Sequence, residues 1–350
     1  MAPTLAAFAE QTWSGQTPGA RLLRAVLAPA AAAYGGVVRL RNALYDSGWL
    51  ASARVPAEVI SVGNLTVGGT GKTPTALWLA ERLVARGRRV AIVARGYGKQ
   101  RPGVVVVGEH GTALVSAAEG GDEAVMLARR FAGPVVTGER RADAAHAACA
   151  RFGCDTIVLD DGFQHRALAR DADLVLAAPG ATRLLPAGPL REPLSGLRRA
   201  RAVLAVGGDG AWPALPEAPA GIPAFRGRLR ATSVVRADAG GWQEASLDTL
   251  PQGPVVAVAG IARPERLVRL LEAAGIAVGG IVAFPDHHPY GRADVAALAA
   301  AGAQGTLITT EKDLVKLAHL PGAPPLAAVR VVLEVENGDA LVDRLVRAPA

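Results

Sequence analysis

The sequence has few cysteines and few aromatic residues, and both shortages exclude classes of protein. Cys149 and Cys154 are too few and too close together for a secreted disulfide scaffold, and the chain has neither a CxxC pair nor a zinc spacing. Aromatic residues make up 4% of the 350 residues and do not alternate with basic residues, which argues against nucleic-acid binding. We therefore expect a protein of a reducing compartment that has no nucleic-acid partner.

The N-terminal segment, residues 1–50, has only two acidic residues and lacks a long hydrophobic run. No Asp or Glu occurs between Glu10 and Asp46, and the apolar run Ala25–Val38 is shorter than the ~20 residues of a spanning helix. The first basic residue is Arg21, which is late for a secretory signal. The arginines that flank the run are Arg21, Arg24, Arg39 and Arg41. This pattern fits an amphipathic helix on an anionic membrane surface, and it also fits an alanine-rich helix packed on the core.

Hydrophobic residues make up half of the chain, which is enough for a sizeable core, and the length suggests about two domains. The formal net charge of +7 suits an anionic membrane surface or a phosphorylated substrate. Short apolar strands alternate with amphipathic helical stretches from Glu58 onward, and this order predicts βαβ units with a parallel sheet.

Periodicity is lost in a Pro- and Gly-rich stretch between Asp209 and Pro254, which indicates a boundary. We therefore predict an α/β fold with a doubly wound domain at residues 51–208, a linker or irregular region at 209–253 and a smaller α/β domain at 254–350. The cleft between the two domains is the expected position of an active site.

A glycine-rich loop lies between the first predicted strand and the first helix of the doubly wound domain. Its residues are Thr66, Val67, Gly68, Gly69, Thr70, Gly71, Lys72 and Thr73. Glycines let backbone N–H groups turn toward phosphates, Lys72 would reach the β- and γ-phosphates of ATP, and the Thr73 hydroxyl would bind Mg²⁺. A strict Walker A pattern requires glycine where Thr66 stands. The strand–loop–helix context still predicts an ATP-binding P-loop, and the competing interpretation is an ordinary glycine-rich turn before a helix.

Two carboxylates end another predicted strand, in the sequence Ile157-Val158-Leu159-Asp160-Asp161. This is the form of a Walker B element, in which an aspartate holds Mg²⁺ or its water shell. Paired acids after a strand are weak support alone, because Asp is common in loops. Together with the P-loop they predict a magnesium site.

Seven motifs in a fixed order carry a resemblance to a known family. They are SVGNLTVGGTGKTP at Ser61–Pro74, ARGYG at Ala94–Gly98, GDE at Gly121–Glu123, DDGFQH at Asp160–His165, PAGPLREP at Pro186–Pro193, DHH at Asp286–His288 and TEKD at Thr310–Asp313. On these the chain resembles the tetraacyldisaccharide 4'-kinases, the lipid A 4'-kinases of Gram-negative bacteria, over nearly all of its length. Thr66 fits as well, because the phosphate loop of that family looks like TVGGTGKT.

The resemblance implies transfer of the γ-phosphate of ATP to the 4'-hydroxyl of a tetraacyldisaccharide 1-phosphate, a lipid A precursor. It also implies a peripheral enzyme on the cytoplasmic face of the bacterial inner membrane. Asp122 would be the catalytic base, with His287 as its partner and Lys72 stabilising the transferred group, while Thr73, Asp160 and Asp161 would bind Mg²⁺. Weaker candidates for contacts to substrate, phosphate or the metal shell are Tyr97, Arg141, His165, Arg191 and Glu192.

Simpler interpretations remain open for several of these residues. Asp122 fits the first turn of a helix, where the helix dipole favours a carboxylate, and His287 fits an ordinary loop position. Glu311, Lys312 and Asp313 are interpreted as capping residues of a helix. The alternative function is a P-loop ATPase switch or metal-chaperone NTPase. That class usually carries a second lysine where this chain has Val67, and it gives no reason for Asp122 and His287.

Overall fold

One mixed β-sheet runs through the whole protein. The computed structural model describes residues 12, 13, 15–178, 180–238 and 241–347. The strands of this sheet are β1 Glu58–Asn64, β2 Val90–Ala94, β3 Val105–Glu109, β4 Thr112–Ala113, β5 Val135–Thr137, β6 Thr156–Asp160, β7 Ala172–Leu176, β8 Ala202–Gly207, β9 Ala224–Asp238, β10 Gly241–Ser246, β11 Val255–Ala259, β12 Val278–Ala283, β13 Thr306–Thr310 and β14 Leu326–Val335. The α-helices are α1 Pro18–Asp46, α2 Lys72–Ala85, α3 Ala117–Gly120, α4 Asp122–Arg130, α5 Arg141–Phe152, α6 Glu265–Ala273, α7 Arg292–Gly302, α8 Glu311–Leu317 and α9 Gly338–Leu345.

The first unit is built on the parallel strands β8-β7-β1-β6-β2-β5, with β3 and β4 added antiparallel at its edge. These parallel strands read as near-continuous apolar runs because helices cover both faces. Helices α2 and α4 pack on one face through Leu79, Leu83 and Leu127. Helix α5 packs on the other face through Ala145 and Ala148. The doubly wound domain that the sequence predicts is confirmed.

The second unit carries strands in the order β12-β11-β13-β14, all parallel to their neighbours. Helix α6 buries Leu267, Leu270 and Leu271 against one face of this sheet, and α7 buries Leu298 and Ala301 against the other. This is the predicted smaller α/β unit.

Strand β9 joins the strands of the two units into one sheet. Its first residues pair with β8 of the first unit, and its length pairs antiparallel with β14 of the second. The prediction of an irregular region at residues 209–253 is therefore wrong, because β9 and β10 lie inside it. The physical reason is that every second residue at the start of β9 is an arginine. The apolar residues from which a strand is predicted are therefore too few there. Arg226, Arg228 and Arg230 pair with carboxylates at the end of β14.

The C-terminal helix α9 returns to the first unit, although the sequence assigns residues 254–350 to the C-terminal domain. Leu341, Val342 and Leu345 are buried in the same core as Trp78 of α2. Outside this apolar contact, Arg86 at the end of α2 donates to Asp343 over 2.6 Å. The last helix of the described chain therefore packs against α2 of the first unit.

Helix α1 lies along the first unit and presents one face to solvent. On its inner face the Tyr34 hydroxyl donates to the Arg191 carbonyl over 2.6 Å, and Asn42 donates to Glu192 over 3.1 Å. Gly35 permits close approach, since a Cβ there would lie 2.6 Å from the Leu184 side chain. By length and hydropathy α1 is the one helix within the described ranges that is long enough and apolar enough to cross a membrane. It extends well beyond the apolar run that the sequence shows.

Arg24, one of the four arginines flanking the apolar run, turns inward. It is 9% exposed and donates to the carbonyls of Thr12 and Gly15 over 2.6 and 2.7 Å. Arg21, Arg39 and Arg41 are exposed. The expectation of four arginines facing an anionic surface is therefore reduced to three.

Candidate active site

The glycine-rich loop of residues 66–73, the predicted P-loop, occupies the turn between β1 and α2. Gly68 and Gly71 adopt positive φ angles of 102° and 88°, which glycine reaches without steric cost. The Asn64 amide, at the end of β1, donates to the hydroxyls of Thr66 and Thr70 over 3.2 and 2.9 Å. Thr66, at the unusual first position, thus serves as a buried anchor of the loop, and α2 begins at Lys72 with its N-terminus facing the cavity.

Lys72 lines the cavity with its side chain 12% exposed. Its ammonium donates to the Gly68 carbonyl over 3.4 Å and lies 3.7 Å from the Asp161 carboxylate. These contacts hold the charge over the loop, where an ATP phosphate would replace them.

Asp160 ends β6 beside the P-loop and accepts a hydrogen bond of 2.9 Å from the Thr73 hydroxyl through Oδ2. Burial, together with the nearby charges of Glu123 and Asp161, raises the pKa of Asp160 to about 7, against the opposing effects of the Thr73 hydrogen bond and the Lys72 charge. Its Oδ1 is buried and has no hydrogen-bond partner. A bound cation would satisfy that oxygen and favour the ionised carboxylate, so the pair Thr73 and Asp160 fits Mg²⁺.

No group of three or more His, Cys, Asp or Glu residues suited to a metal ion occurs within the described parts of the chain. A Mg²⁺ ion that is bound together with nucleotide phosphates and water would need only one or two carboxylates of the protein. Asp161, the second predicted ligand, is 36% exposed and accepts two hydrogen bonds from Arg191 at 3.1 and 3.2 Å. Both Asp161 and Arg191 line the cavity.

Asp122 and His287 meet across the cleft between the two units. Asp122 is the first residue of α4, and His287 follows β12 in a loop with a positive φ of 58°. The His287 Nδ1 lies 3.0 Å from Oδ2 and 3.1 Å from Oδ1 of Asp122. The Lys316 ammonium donates to the same carboxylate over 3.2 Å.

The charges around this pair set its protonation. Burial alone would raise the pKa of the Asp122 carboxyl, but His287, Lys312 and Lys316 outweigh it and lower the pKa to about 2. Burial acts on His287 in the opposite sense and would lower its pKa, but the hydrogen bond and the charge of Asp122 raise it above the ordinary 6.5. The pair therefore holds its first proton on the imidazole, beside an ionised carboxylate.

The five weaker candidates separate into two groups. Tyr97 and Arg191 line the cavity, and the Tyr97 ring packs on His287 with 4.7 Å between ring centroids. The other three lie outside the cavity lining. Glu192 is 2% exposed and accepts hydrogen bonds from Asn42, Gln164 and Arg199, so it ties α1 to the first unit.

Arg141 and His165 lie close enough for the charge of Arg141 to act on the His165 imidazole. Arg141 is 6% exposed, and its Nε has no hydrogen-bond partner. Burial lowers the pKa of His165 to about 4, and the charges of Arg141, Arg170, Arg41 and Arg95 contribute. His165 is therefore neutral at pH 7.

The residues that the sequence interprets as helix caps do more than cap. The Thr310 hydroxyl is the side-chain cap of α8 and accepts from the Asp313 N–H over 3.1 Å. Glu311, however, is buried in ion pairs with Arg130 and Arg330, and Lys312 points into the cleft. The capping interpretation is too narrow, and the TEKD motif was the available signal for these positions.

Both units line a single cavity of about 570 Å³. From the first unit come the P-loop, Glu123, Asp160 and Asp161, and from the second come Arg266, Asp286, His287 and Lys312. Arg266 of α6 donates directly to the Gly69 carbonyl of the P-loop. A nucleotide on the P-loop would thus face groups of both units.

Comparisons with known proteins agree on one family. The family model for tetraacyldisaccharide-1-P 4'-kinase, LpxK, matches residues 23–348. The tetraacyldisaccharide 4'-kinase of Anaeromyxobacter dehalogenans strain 2CP-C is 43% identical, over 94% of this chain and 92% of the relative. The enzyme of Halorhodospira halophila is also 43% identical, over 88% of each chain.

A solved structure of LpxK from Aquifex aeolicus in complex with ATP superposes with a TM-score of 0.79 at 33% identity, over 92% of this chain and 98% of that one. The fold, the order of the motifs and the relatives agree. The chain belongs to the tetraacyldisaccharide-1-P 4'-kinase family.

Proposed function

We propose that this protein transfers the γ-phosphate of ATP to the 4'-hydroxyl of a tetraacyldisaccharide 1-phosphate and so forms the bis-phosphorylated lipid A precursor. The observation that carries the proposal is the contact between His287 and Asp122 at the edge of the cavity that the P-loop lines. A P-loop that serves only as a switch has no need of a proton acceptor beside its phosphates. The curated relatives are kinases of this substrate by name, and the comparisons give no support to an ATPase switch or metal chaperone.

In the proposed reaction, the backbone of Gly68–Thr73 and the Lys72 ammonium hold the phosphates of ATP. Thr73 and Asp160 would hold Mg²⁺, with Asp161 beside them, and the ion would neutralise charge on the phosphates. Arg191 keeps Asp161 in place through its two hydrogen bonds. Positioning and neutralisation of charge supply most of the catalysis in phosphoryl transfer.

The hydroxyl proton of the acceptor sugar passes to the Asp122–His287 pair. Asp122 is 7% exposed and His287 25% exposed, so the imidazole presents the more accessible edge to the cavity. Asp122 is the carboxylate that draws the proton toward the pair, and the imidazole is where the proton is most stable. Tyr97 packs on the imidazole and would limit its rotation. Arg141, which interacts electrostatically with Asp160 and Asp161, would favour an anionic group near these carboxylates.

The acyl chains of the substrate favour a membrane location for the enzyme. The outer face of α1 exposes Leu22, Val26, Val37 and Leu40 by 68, 67, 66 and 62%, and Trp49 just beyond the helix is 83% exposed. Arg21, Arg39 and Arg41 lie near this apolar face, as in helices that bind anionic leaflets. Because the C-terminal half of α1 contacts the first unit through Tyr34, Gly35 and Asn42, we infer that the helix lies in the interface and does not span it. We further infer that it binds the cytoplasmic face of the inner membrane, where ATP is available.

The experiment that tests the function is a transfer assay with the purified protein, ATP, Mg²⁺ and tetraacyldisaccharide 1-phosphate, followed by mass spectrometry of the lipid. We expect a product heavier by one phosphate, and we expect none from the Lys72→Ala variant, which should fold normally. Lipid of unchanged mass with the wild-type protein would refute the proposal.

A further inference from the structure

Lys312 is a second lysine that faces the nucleotide cavity, and it comes from the second unit. It is the second residue of α8, its side chain is 11% exposed, and it lines the cavity together with Lys72 of the P-loop. Its charge helps to lower the pKa of Asp122, but the proposed reaction above gives Lys312 no contact with the transferred group.

The contacts of the Lys312 ammonium span both units. It donates to Asp286 over 2.6 Å and lies 3.4 Å from His287 Nε2 and 3.8 Å from Glu123 of α4. Asp286 is itself 40% exposed, so the strongest partner of the lysine is a carboxylate that water also solvates. A phosphate oxygen would therefore be able to replace Asp286 as the partner of the ammonium. The charge of Lys312 is not enclosed in a fully buried ion pair.

The position of the ammonium is set by what lies on each side of it. On one side is the imidazole of the Asp122–His287 pair, which would accept the proton of the sugar hydroxyl. On the other side is Glu123, which is close enough to Asp160 to raise the pKa of that carboxyl. Lys312 thus lies close to the proposed proton acceptor and, through Glu123, near the carboxylate proposed to bind the metal. These are the two groups that would flank a phosphoryl group during transfer.

We propose that Lys312 is a further catalytic residue of the transfer, a cation from the second unit that contacts the γ-phosphoryl group opposite Lys72. This inference rests on the proposed kinase function. In the step, the bond between the γ-phosphorus and the β-phosphate oxygen breaks, and a bond to the 4'-oxygen forms. The hydroxyl proton passes to the Asp122–His287 pair and ADP leaves. Lys312 keeps its own protons throughout and stabilises the negative charge spread over the γ-oxygens.

In this arrangement, a phosphoryl group in the cavity would contact one lysine from each of the two units. Lys72 belongs to the first unit and Lys312 to the second, so the phosphoryl group has both cations only when the two units approach each other. A role limited to structure would differ: Lys312 would then hold the His287 loop through Asp286 and would not distinguish one nucleotide from another.

The test compares ATP with ADP, which differ only in the γ-phosphate. Binding constants for both nucleotides and kcat for tetraacyldisaccharide 1-phosphate are measured for wild type, Lys312→Met, Lys312→Arg and Asp286→Asn. Asp286→Asn breaks the ion pair but keeps the ammonium. Arg269→Met, which removes an exposed charge from α6, controls for net charge.

For Lys312→Met we expect kcat to fall by about 100-fold or more, and ATP affinity to fall while ADP affinity stays within about 2-fold. Lys312→Arg should recover part of the lost kcat, and Asp286→Asn should lose far less than Lys312→Met. Equal losses of ATP and ADP affinity, or a kcat within about 3-fold of wild type in Lys312→Met, would overturn the inference. An inactive wild-type protein would refute the kinase proposal instead, so the two failures are distinguishable.

Discussion

His287 Nδ1 lies 3.0 Å from Asp122 Oδ2, although 165 residues and the cleft between two units separate them in the chain. Each residue alone has a simple explanation, because Asp122 stands in the first turn of a helix and His287 stands in a loop. Their contact at the edge of the cavity is the basis of the proton-transfer role that we propose for both.

The first prediction concerns this pair. Asp122→Ala and His287→Ala should each lower kcat by about 10²- to 10⁴-fold, the range of general-base catalysis, with a smaller effect on KM. If both residues serve one proton transfer, the double variant should be little worse than the poorer single variant. Steady-state kinetics of the three variants measure this. The neighbouring His288, which pairs with Asp294, is the matched control, and His288→Ala should stay near wild type.

The second prediction concerns pH. Above the raised pKa of His287 the pair is a carboxylate beside a neutral imidazole and can accept a proton. Below it the imidazole is already protonated, and the remaining carboxylate, with its pKa of about 2, is a poor acceptor. The kcat/KM should therefore rise with pH through a value above 6.5, and His287→Ala should abolish that limb of the profile. An unchanged acid limb in that variant would assign the titration to another group.

The third prediction concerns Asp160 in protein freed of divalent cations. Its pKa is 3.8 in the unfolded chain and about 7 in the folded protein, so the folded state loses stability as pH rises between these values. At about 1.4 kcal/mol per pKa unit, the loss is at most about 4 kcal/mol. Asp160→Asn removes it, and urea unfolding should show a variant that is more stable than wild type at pH 8 but not near pH 4.

Asp161→Asn is the matched control for that measurement, because Asp161 is 36% exposed and paired with Arg191. It should gain no stability at pH 8. The Asp160→Asn variant should also need more Mg²⁺ for its residual activity. If it is no more stable than wild type at pH 8, burial does not disfavour the charge on Asp160.

The fourth prediction concerns the outer face of α1. The double variant Val26→Glu, Val37→Glu places charges on exposed positions and leaves the inner face intact. It should bind anionic vesicles more weakly and raise the apparent KM for vesicle-borne lipid, with the KM for ATP unchanged. Leu215→Glu, at another exposed apolar position, is the control. Equal vesicle binding by the variant and the wild type would contradict an interfacial role for α1.

Much of the fold follows from local sequence patterns. Strand β1 begins at Glu58, where the alternation of strands and helices is predicted to start, and the glycine-rich loop lies between this strand and α2. These features depend on the period of apolar residues and on backbone freedom at glycine, both of which are local. Strand β9 was missed because arginine at every second position near its start hides its apolar pattern, and the return of α9 to the first unit was missed because no local pattern records which core a helix joins.

The residues of the candidate site also fall into those that local sequence patterns indicate and those that they do not. Lys72, Thr73 and Asp160 could be proposed as phosphate-binding and metal-binding residues from the sequence, because a glycine-rich loop and a strand that ends in carboxylates are short local patterns. The spacing of Lys312 and Lys316 does not indicate a role in the site, because the same stretch of sequence also fits the start of a helix that is capped by Thr310 and Asp313. Their role depends on a contact across the cleft, and such contacts are set by the packing of the two units.

The measurement that tests the central claim most directly is the position of the new phosphate on the product. Tetraacyldisaccharide 1-phosphate is converted with ATP and Mg²⁺, and the lipid is examined by ³¹P–¹H correlation NMR. The account predicts a second phosphorus signal that correlates with the proton on carbon 4', and its absence with Lys72→Ala. A phosphorus correlated with any other sugar proton, or release of inorganic phosphate without a modified lipid, would contradict it.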